Sequence, residues 1–279
     1  MKIGVFTAML PDLTPEEAVW ELKEVGYDGV EWRVTHTPQE LKRQEPSFWG
    51  HNLCTFAPTL ADATRAKSLT ESAGLDIPNI GTYIELGDLN AVEQAMNFAE
   101  AVGSPAFRVG FGGFGGRYRE QLDVARAFLA DIEPLARDRG IKALVEIHHR
   151  TILPSASLAS QLLSGFDPEA IGALFDPGNM VFEGFEDYRL GIELLGPFLA
   201  HVHIKNAAFR RPEGGGVWRG YWAPLDDGVV DFEAVFAGLN GIGYDGWLVV
   251  EDFSGTRSTR EALRHNLAFI KEKLASAGV

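Results

Sequence analysis

The sequence alternates between short apolar runs and longer amphipathic segments along its whole length, and this alternation restricts the fold more than any other feature. Eight runs have the length and apolar content of buried strands: 2–7, 28–34, 77–84, 105–111, 142–148, 170–176, 200–205 and 246–252. Eight segments have the spacing of helices: 14–25, 61–73, 90–102, 118–138, 157–163, 186–194, 232–239 and 258–275. Strands that alternate with helices predict a parallel sheet with crossover helices.

The number of repeats and the length of the chain favour a closed barrel over an open sheet. Eight strand–helix units in 279 residues fit an α/β fold with a single (β/α)8, or TIM, barrel. The least regular stretch, 35–60, is predicted to be a long loop. No linker-like or low-complexity segment divides the chain, so we predict one domain over residues 1–279.

A barrel of this kind carries its active site at the carboxyl ends of the strands. The fifth to eighth predicted strands all bring groups that can bind a metal to that rim: Glu146 with His148, Asp176, His203 with Lys205, and Glu251 with Asp252. Three buried carboxylates that converge repel one another unless a cation or protons intervene. We therefore predict a divalent metal held by three carboxylates and one imidazole, a ligand set that favours Mn²⁺, Mg²⁺ or Co²⁺.

Other polar residues also share one face of a predicted strand. In HVHIKN (201–206), both histidines and Lys205 lie on the same face, because successive side chains of a strand alternate. Glu31 and Arg33 share a face of the second strand, where we expect either an internal ion pair or contact with a ligand. Arg108, on the fourth strand, has the same two interpretations.

The segments LVEIHH, LFDPGN, HVHIKN and LVVED, in this order and spacing, resemble the xylose isomerase-like barrels, the sugar phosphate isomerase/epimerase group. The resemblance spans essentially the whole chain. It implies a metal-dependent sugar isomerase or epimerase with one divalent ion, Mn²⁺ first and Mg²⁺, Co²⁺ or Zn²⁺ as alternatives. The metal ligands of the family fall on four residues of this sequence: Glu146, Asp176, His203 and Glu251.

Three positions depart from the pattern of the ketose 3-epimerases in this family. Ile152 stands where they carry a second Glu, Asn179 where they carry a His, and Phe209 where they carry an Arg. These departures count against that particular activity and leave the metal ligands intact. The family also contains lyases, so β-elimination on a keto-sugar, keto-inositol or keto-glycoside is the alternative, ahead of a non-catalytic sugar-binding barrel.

Under the main hypothesis, a hydroxy-ketone substrate chelates the metal, and a carboxylate removes the proton between the two oxygens to give an enediolate. Glu146 and Glu251, from the fifth and eighth strands, are the predicted catalytic bases. We expect five further residues to bind substrate: His148, Lys205, Arg108, Asn179 and Trp222.

Several of these expectations have structural alternatives. His148 either contacts substrate or orients a metal ligand, and Lys205 either neutralises substrate or pairs with an acid of the rim. Trp222 belongs to 206–228, whose aromatic residues either stack on a sugar or pack in a dimer interface. The glycine-rich run at 110–116 lacks the Lys-Ser/Thr of a phosphate-binding loop, so we predict a mobile lid or a tight loop there.

Charge and cysteine content limit the partners and the compartment. The net charge of −14, from 39 acidic and 25 basic residues, argues against binding to nucleic acid or to an anionic membrane. The single cysteine, Cys54, excludes an internal disulfide and suits a reducing cytoplasm. The first residues have the pattern of a strand rather than of a signal peptide. We expect a small carbohydrate substrate; the sequence leaves open a homo-oligomer or a larger complex.

Overall fold

The computed structural model describes all 279 residues and arranges them around a closed parallel barrel. Its strands are β1 (Lys2–Phe6), β2 (Gly29–Val34), β4 (Ile80–Thr82), β5 (Ala106–Val109), β6 (Lys142–Glu146), β7 (Ile171–Phe175), β8 (Leu199–Ile204) and β11 (Trp247–Val250). Neighbouring strands are parallel, and the ring closes because β1 pairs with both β2 and β11. The predicted (β/α)8 barrel is therefore confirmed.

Nine α-helices surround the barrel: α1 (Pro15–Val25), α2 (Leu60–Ala73), α3 (Leu89–Val102), α4 (Tyr118–Arg139), α5 (Ala156–Leu163), α6 (Pro177–Glu183), α7 (Tyr188–Leu195), α8 (Phe232–Gly241) and α9 (Thr259–Ser276). Local signals set their ends. In α1, Thr14 and Glu17 cap each other reciprocally, and Gly26 ends the helix with a φ of 96° that a residue with a Cβ adopts only with strain. None of the nine helices is both long and apolar enough to cross a membrane.

Four short elements were not predicted. The stretch 35–60 contains β3 (Thr55–Phe56), which extends the sheet beside β2. The segment after β8 forms an antiparallel hairpin of β9 (Asn206–Arg210) and β10 (Arg219–Ala223). Helix α6 follows β7 directly. A two-residue strand and a seven-residue helix are too short to produce a hydrophobic period, which explains why they escaped the sequence analysis.

The interior of the barrel is filled by side chains rather than open. A Cβ at Gly81 would lie 2.2 Å from the ring of Phe6, so the glycine makes room for that ring. Phe6 in turn stacks on His203, with ring centroids 5.9 Å apart. The ring of Phe6 thus packs directly against the imidazole at the carboxyl end of the barrel.

Candidate metal centre

Four side chains converge at the carboxyl ends of the neighbouring strands β6, β7, β8 and β11: Glu146, Asp176, His203 and Glu251. One potential ligand atom from each lies within 4.8 Å of all the others, and all four residues are buried. His203 Nδ1 lies 3.4 Å from Glu251 Oε1 and 3.6 Å from Glu146 Oε1. Asp176 Oδ2 is 3.9 Å from the same nitrogen. The structure thus brings together the four residues that the strand ends indicated.

One atom of this cluster tests whether a metal ion fits. His203 Nδ1 is buried and has no hydrogen-bond partner, although it faces three carboxylate oxygens. A buried polar atom without a partner is costly. A divalent cation at this point would satisfy the nitrogen and neutralise the acids together. The donor set therefore fits a hard or borderline divalent ion.

The motif Asp176-Pro-Gly-Asn179 fixes the orientation of one carboxylate. Asp176 caps α6, because its Oδ1 accepts a hydrogen bond of 2.8 Å from the backbone N–H of Asn179. Pro177 occupies the first helical position, where its missing N–H is not needed. The other oxygen, Oδ2, is left to face the cluster. Capping the helix and supplying a ligand are thus divided between the two oxygens of one side chain.

Glu31 fixes the orientation of the imidazole from inside the barrel. Its Oε2 accepts hydrogen bonds from Nε2 of His201 at 2.8 Å and of His203 at 3.3 Å. With the proton of His203 on Nε2, its Nδ1 is free to act as a ligand. The ion pair between Glu31 and Arg33, one of two interpretations of their shared face, is not formed. The histidines of β8 lie across the barrel from β2 and form hydrogen bonds with the carboxylate of Glu31 instead.

We expect Glu31→Gln to weaken the binding of a divalent ion by roughly tenfold or more, while leaving the fold intact. The amide is a weaker acceptor and carries no charge, so it no longer holds the tautomer and the ring of His203. Calorimetric titration with Mn²⁺ measures the effect. Glu120→Gln, an exposed acid in the first turn of α4, is the control. Equal affinity in Glu31→Gln and the wild type would contradict the role of Glu31.

The two glutamates are ionised in this environment. Burial raises the pKa of Glu146, but Arg108, whose Nη1 lies 2.9 Å from Glu146 Oε2, acts together with His203, His148 and Lys205 to hold the pKa well below its usual range. Burial likewise raises the pKa of Glu251, and the charges of His203 and Lys205 lower it to a net decrease. Two carboxylates that can accept a proton therefore face the same point.

The pKa values of Asp176 and His203 are shifted in the other direction, upwards. Burial raises the pKa of Asp176, and the neighbouring glutamates maintain the increase despite Lys205, whose Nζ is 2.7 Å from Asp176 Oδ2. Lys205 also contacts Glu251. Burial lowers the pKa of His203, but Glu251 and Glu31 raise it well above the usual value. In the metal-free protein the neighbouring acids therefore favour the protonated imidazole of His203.

This shift predicts that metal affinity falls as the pH falls. The raised pKa favours the protonated imidazole in the metal-free protein, so a metal ion must displace that proton. At lower pH, protons compete more strongly with the metal ion for His203. Affinity should drop by up to about tenfold for each pH unit below the pKa of His203. Calorimetric titrations in buffers of different ionisation enthalpy should show about one proton released per ion. Affinity that is constant between about pH 6 and pH 8, with no proton release, would contradict this expectation.

A cavity of ≈ 350 Å³ opens onto the cluster and is lined by Glu146 and Glu251. Three of the five predicted substrate-binding residues line it as well: Arg108, His148 and Lys205. Asn179 and Trp222 do not. Asn179 is fully buried behind the acids, where its Nδ2 donates to Asp176 Oδ2 at 2.7 Å and to Glu146 Oε1 at 3.3 Å. Trp222 packs beside Lys205, with Nζ 4.9 Å from the ring centroid.

Several cavity residues were missed by the sequence analysis. Trp49 comes from the irregular stretch 35–60, and Tyr83 follows the very short strand β4. His149 lies in the loop beyond β6, where the alternation of strand side chains no longer applies. Its Nδ1 is 2.8 Å from Asn179 Oδ1. The aromatic residue after β4 was the one available signal, since that position also ends a barrel strand. The first residues of the glycine-rich run 110–116 complete the wall.

Comparisons with known proteins agree with this architecture. Residues 19–273 match the family described as xylose isomerase-like TIM barrel. An inosose dehydratase of Clostridium botulinum is 29% identical over 273 residues, which cover 89% of this chain and 87% of that protein. An inosose dehydratase of Geobacillus thermodenitrificans is 30% identical over 141 residues, which cover 47% of each chain. The match with the latter therefore spans about half the length of that relative.

Solved structures with the same fold include several sugar-converting proteins. An L-ribulose 3-epimerase superposes with a TM-score of 0.75 at 19% identity, covering 99% of this chain and 95% of that chain. The 3-keto-D-glucoside 4-epimerase YcjR of E. coli gives 0.71 at 18% identity, with 98% and 99% coverage. The IOLI protein with a binding zinc atom gives 0.73 at 15% identity, with 99% of both chains covered. At such identities the likeness concerns the fold, whereas the family match spans most of the sequence: the chain belongs to the xylose isomerase-like TIM barrel family.

Proposed function

We propose that this protein is a metal-dependent enzyme that removes a proton from the carbon beside the carbonyl of a small polyhydroxylated ketone. One observation carries the proposal. Glu146 and Glu251, both ionised, reach the same point from β6 and β11, at 3.6 and 3.4 Å from His203 Nδ1. An ionised carboxylate within reach of an acidic C–H bond is a competent general base. A pure sugar binder has no need of two such groups.

The cation at this point is proposed to be one divalent ion, Mn²⁺ first and Mg²⁺, Co²⁺ or Zn²⁺ as alternatives. Four residues would hold it: Glu146, Asp176, His203 and Glu251. When bound, such an ion supplies Lewis acidity for the negative charge that develops on the oxygens of the substrate. The zinc named for the IOLI structure supports a divalent ion in this fold.

The neighbouring residues position and tune the bases. Arg108 keeps Glu146 ionised and holds its Oε2 from the cavity wall. Asn179 ties Glu146 to Asp176, so we assign it to positioning the acids rather than to binding substrate. Lys205 and His148 line the cavity and are proposed to contact the oxygens of the substrate. The ring of Trp222 packs against the ammonium group of Lys205.

Isomerisation or epimerisation is the first candidate, because it uses both glutamates. One removes the proton, and the other returns it to the opposite face or, for isomerisation, to the neighbouring carbon. Two ionised carboxylates from separate strands suit this exchange. The departures at Ile152, Asn179 and Phe209 separate this chain from the ketose 3-epimerase pattern, so we assign no particular sugar.

Dehydration is the second candidate, and the names of the sequence relatives favour it. The relatives from Clostridium botulinum and Geobacillus thermodenitrificans are both called inosose dehydratases. The first step would be the same, after which a hydroxyl group β to the carbonyl leaves as water. That step needs a proton donor at the leaving group. His148, whose imidazole lies on the cavity wall, is the candidate for this donor.

A substrate panel separates these candidates. Metal-loaded protein is incubated with ketoses, a keto-inositol and a 3-keto-glucoside, and the products are analysed by mass spectrometry and NMR. A product of unchanged mass and altered stereochemistry identifies an epimerase, a shifted carbonyl an isomerase, and the loss of one water a dehydratase. Tight binding of a panel member without any metal-dependent conversion would identify a sugar-binding barrel and overturn the proposal.

A further inference from the structure

The second strand carries a buried guanidinium group that no acid neutralises. Arg33 is only 7% exposed, and its Nε is buried without a hydrogen-bond partner. The side chain makes one hydrogen bond, from Nη1 to Thr55 Oγ1, at a long 3.4 Å. The nearest acid along its strand, Glu31, bonds two histidines through Oε2 and forms no ion pair with Arg33. Arginine is seldom buried in this way without a partner, because desolvating an unpaired charge is costly.

Arg33 is not one of the residues that line the cavity, but it lies directly against its wall. Its guanidinium carbon lies 5.2 Å from the centroid of the Tyr83 ring, and that of Arg108 lies 4.7 Å from the same centroid. Tyr83 and Arg108 both line the cavity. The two cations differ in one respect: Arg108 is paired with Glu146 at 2.9 Å, whereas Arg33 has no counterpart.

A comparison of the buried cationic side chains at the site also singles out Arg33. Three buried cationic side chains stand among the buried acids at this end of the barrel: Arg33, Arg108 and Lys205. Arg108 and Lys205 each contact an acid. Arg33 contacts none, so its charge is the one left without a counterpart. The negative net charge of the whole chain does not oppose this, because a local pocket sets its own field.

We propose that Arg33, beside Tyr83, binds an anionic oxygen group of the substrate, a carboxylate or a phosphate, at the end away from the reacting carbonyl. The inference rests on the proposed function, since it assigns a charge to the ketone that enters the same cavity. A planar guanidinium with free N–H groups matches the paired oxygens of either anion. A neutral hydroxyl group would accept a hydrogen bond and leave the buried charge uncompensated.

Calorimetry on the metal-loaded protein tests this subsite with two matched pairs of ketones: D-fructose with D-fructose 6-phosphate, and L-sorbose with 5-keto-D-gluconate. We expect the wild type to bind the anionic member of at least one pair roughly tenfold more tightly than the neutral member. The phosphate pair and the carboxylate pair distinguish the two anions. In Arg33→Met the preference should disappear, and in Arg33→Lys part of it should remain. Arg119→Met, at an exposed site on α4, should behave as the wild type.

Thermal unfolding separates binding from a structural role. If Arg33 serves a ligand, Arg33→Met removes an unpaired buried charge and should melt at or above the wild-type temperature. A lower melting temperature with an unchanged anion preference would overturn the proposal, as would the lack of a preference in both pairs. Because binding is measured without turnover, the subsite and the proposed reaction can fail independently: a preference without C–H exchange refutes only the reaction.

Discussion

Removal of the divalent ion is expected to lower turnover by roughly a thousandfold or more, and its return to restore the activity. The expected loss equals the several kcal/mol that a Lewis acid contributes to stabilising developing charge. The protein side chains do not replace it. Lys205 neutralises Asp176 and Glu251, yet its raised pKa keeps the ammonium protonated and bound to those acids. The measurement is the rate with the best member of the substrate panel before and after chelation.

The control for this experiment is the fold of the metal-free protein. Lys205 and the protonated His203 compensate the acids when no ion is bound, so we expect circular dichroism to be unchanged by chelation. The melting temperature should rise with added metal, because an ion that binds only the folded state stabilises it. Full activity in protein shown by elemental analysis to be free of metal would contradict the proposed role of the ion.

Glu251→Gln is expected to reduce turnover at least roughly a hundredfold while the protein still binds metal and substrate. The substitution keeps the volume and one oxygen ligand but removes the charge and the basicity. Glu146→Gln should behave in the same way if both glutamates transfer protons. Steady-state rates at saturating Mn²⁺, together with calorimetric metal affinities, give the two quantities separately.

Asp176→Asn is the matched comparison. An asparagine still caps α6 through its Oδ1, so the helix is retained. Its loss of activity should come chiefly from weaker metal binding, and excess Mn²⁺ should restore part of it. If excess metal rescues all three variants equally, the glutamates are ligands only. His148, on the cavity wall, would then be the first candidate for the base, because Lys205 stays protonated beside its acids.

Most of the fold was accessible from the sequence because it is encoded in local patterns. Each barrel strand is a short, mostly apolar run, and capping residues such as Thr14 and Gly26 mark the ends of helices. The four clustered residues were also accessible. The strand ends supplied the candidates, because parallel strands end at one rim, and the resemblance to the xylose isomerase-like barrels selected these four among them. Hairpin β9–β10 was not, because its strands, NAAFR and RGYWA, show no regular alternation of apolar and polar residues.

The contacts that tune the site were beyond the sequence because they join distant parts of the chain. Glu31 meets His201 across 170 positions, and no local period indicates that pairing. For the same reason the sequence did not decide between an ion pair and a ligand contact for Arg33. Asn179 was expected against the substrate from its position in the motif. In the structure, α6 orients the side-chain amide of Asn179 so that it donates hydrogen bonds to Asp176 and Glu146 instead. The sequence motif alone does not indicate this orientation.

Deuterium incorporation from heavy water tests the central claim most directly, because each proposed reaction begins by breaking a C–H bond beside a carbonyl. Metal-loaded protein should wash deuterium into that carbon of its substrate. Chelated protein and Glu251→Gln should do so at least roughly a hundredfold more slowly. Conversion of substrate by the metal-loaded protein without any deuterium in substrate or product would contradict proton abstraction, unless the abstracted proton is shielded from solvent. Substrate deuterated at that carbon resolves this case: an unchanged rate, together with no deuterium wash-in, would refute the account.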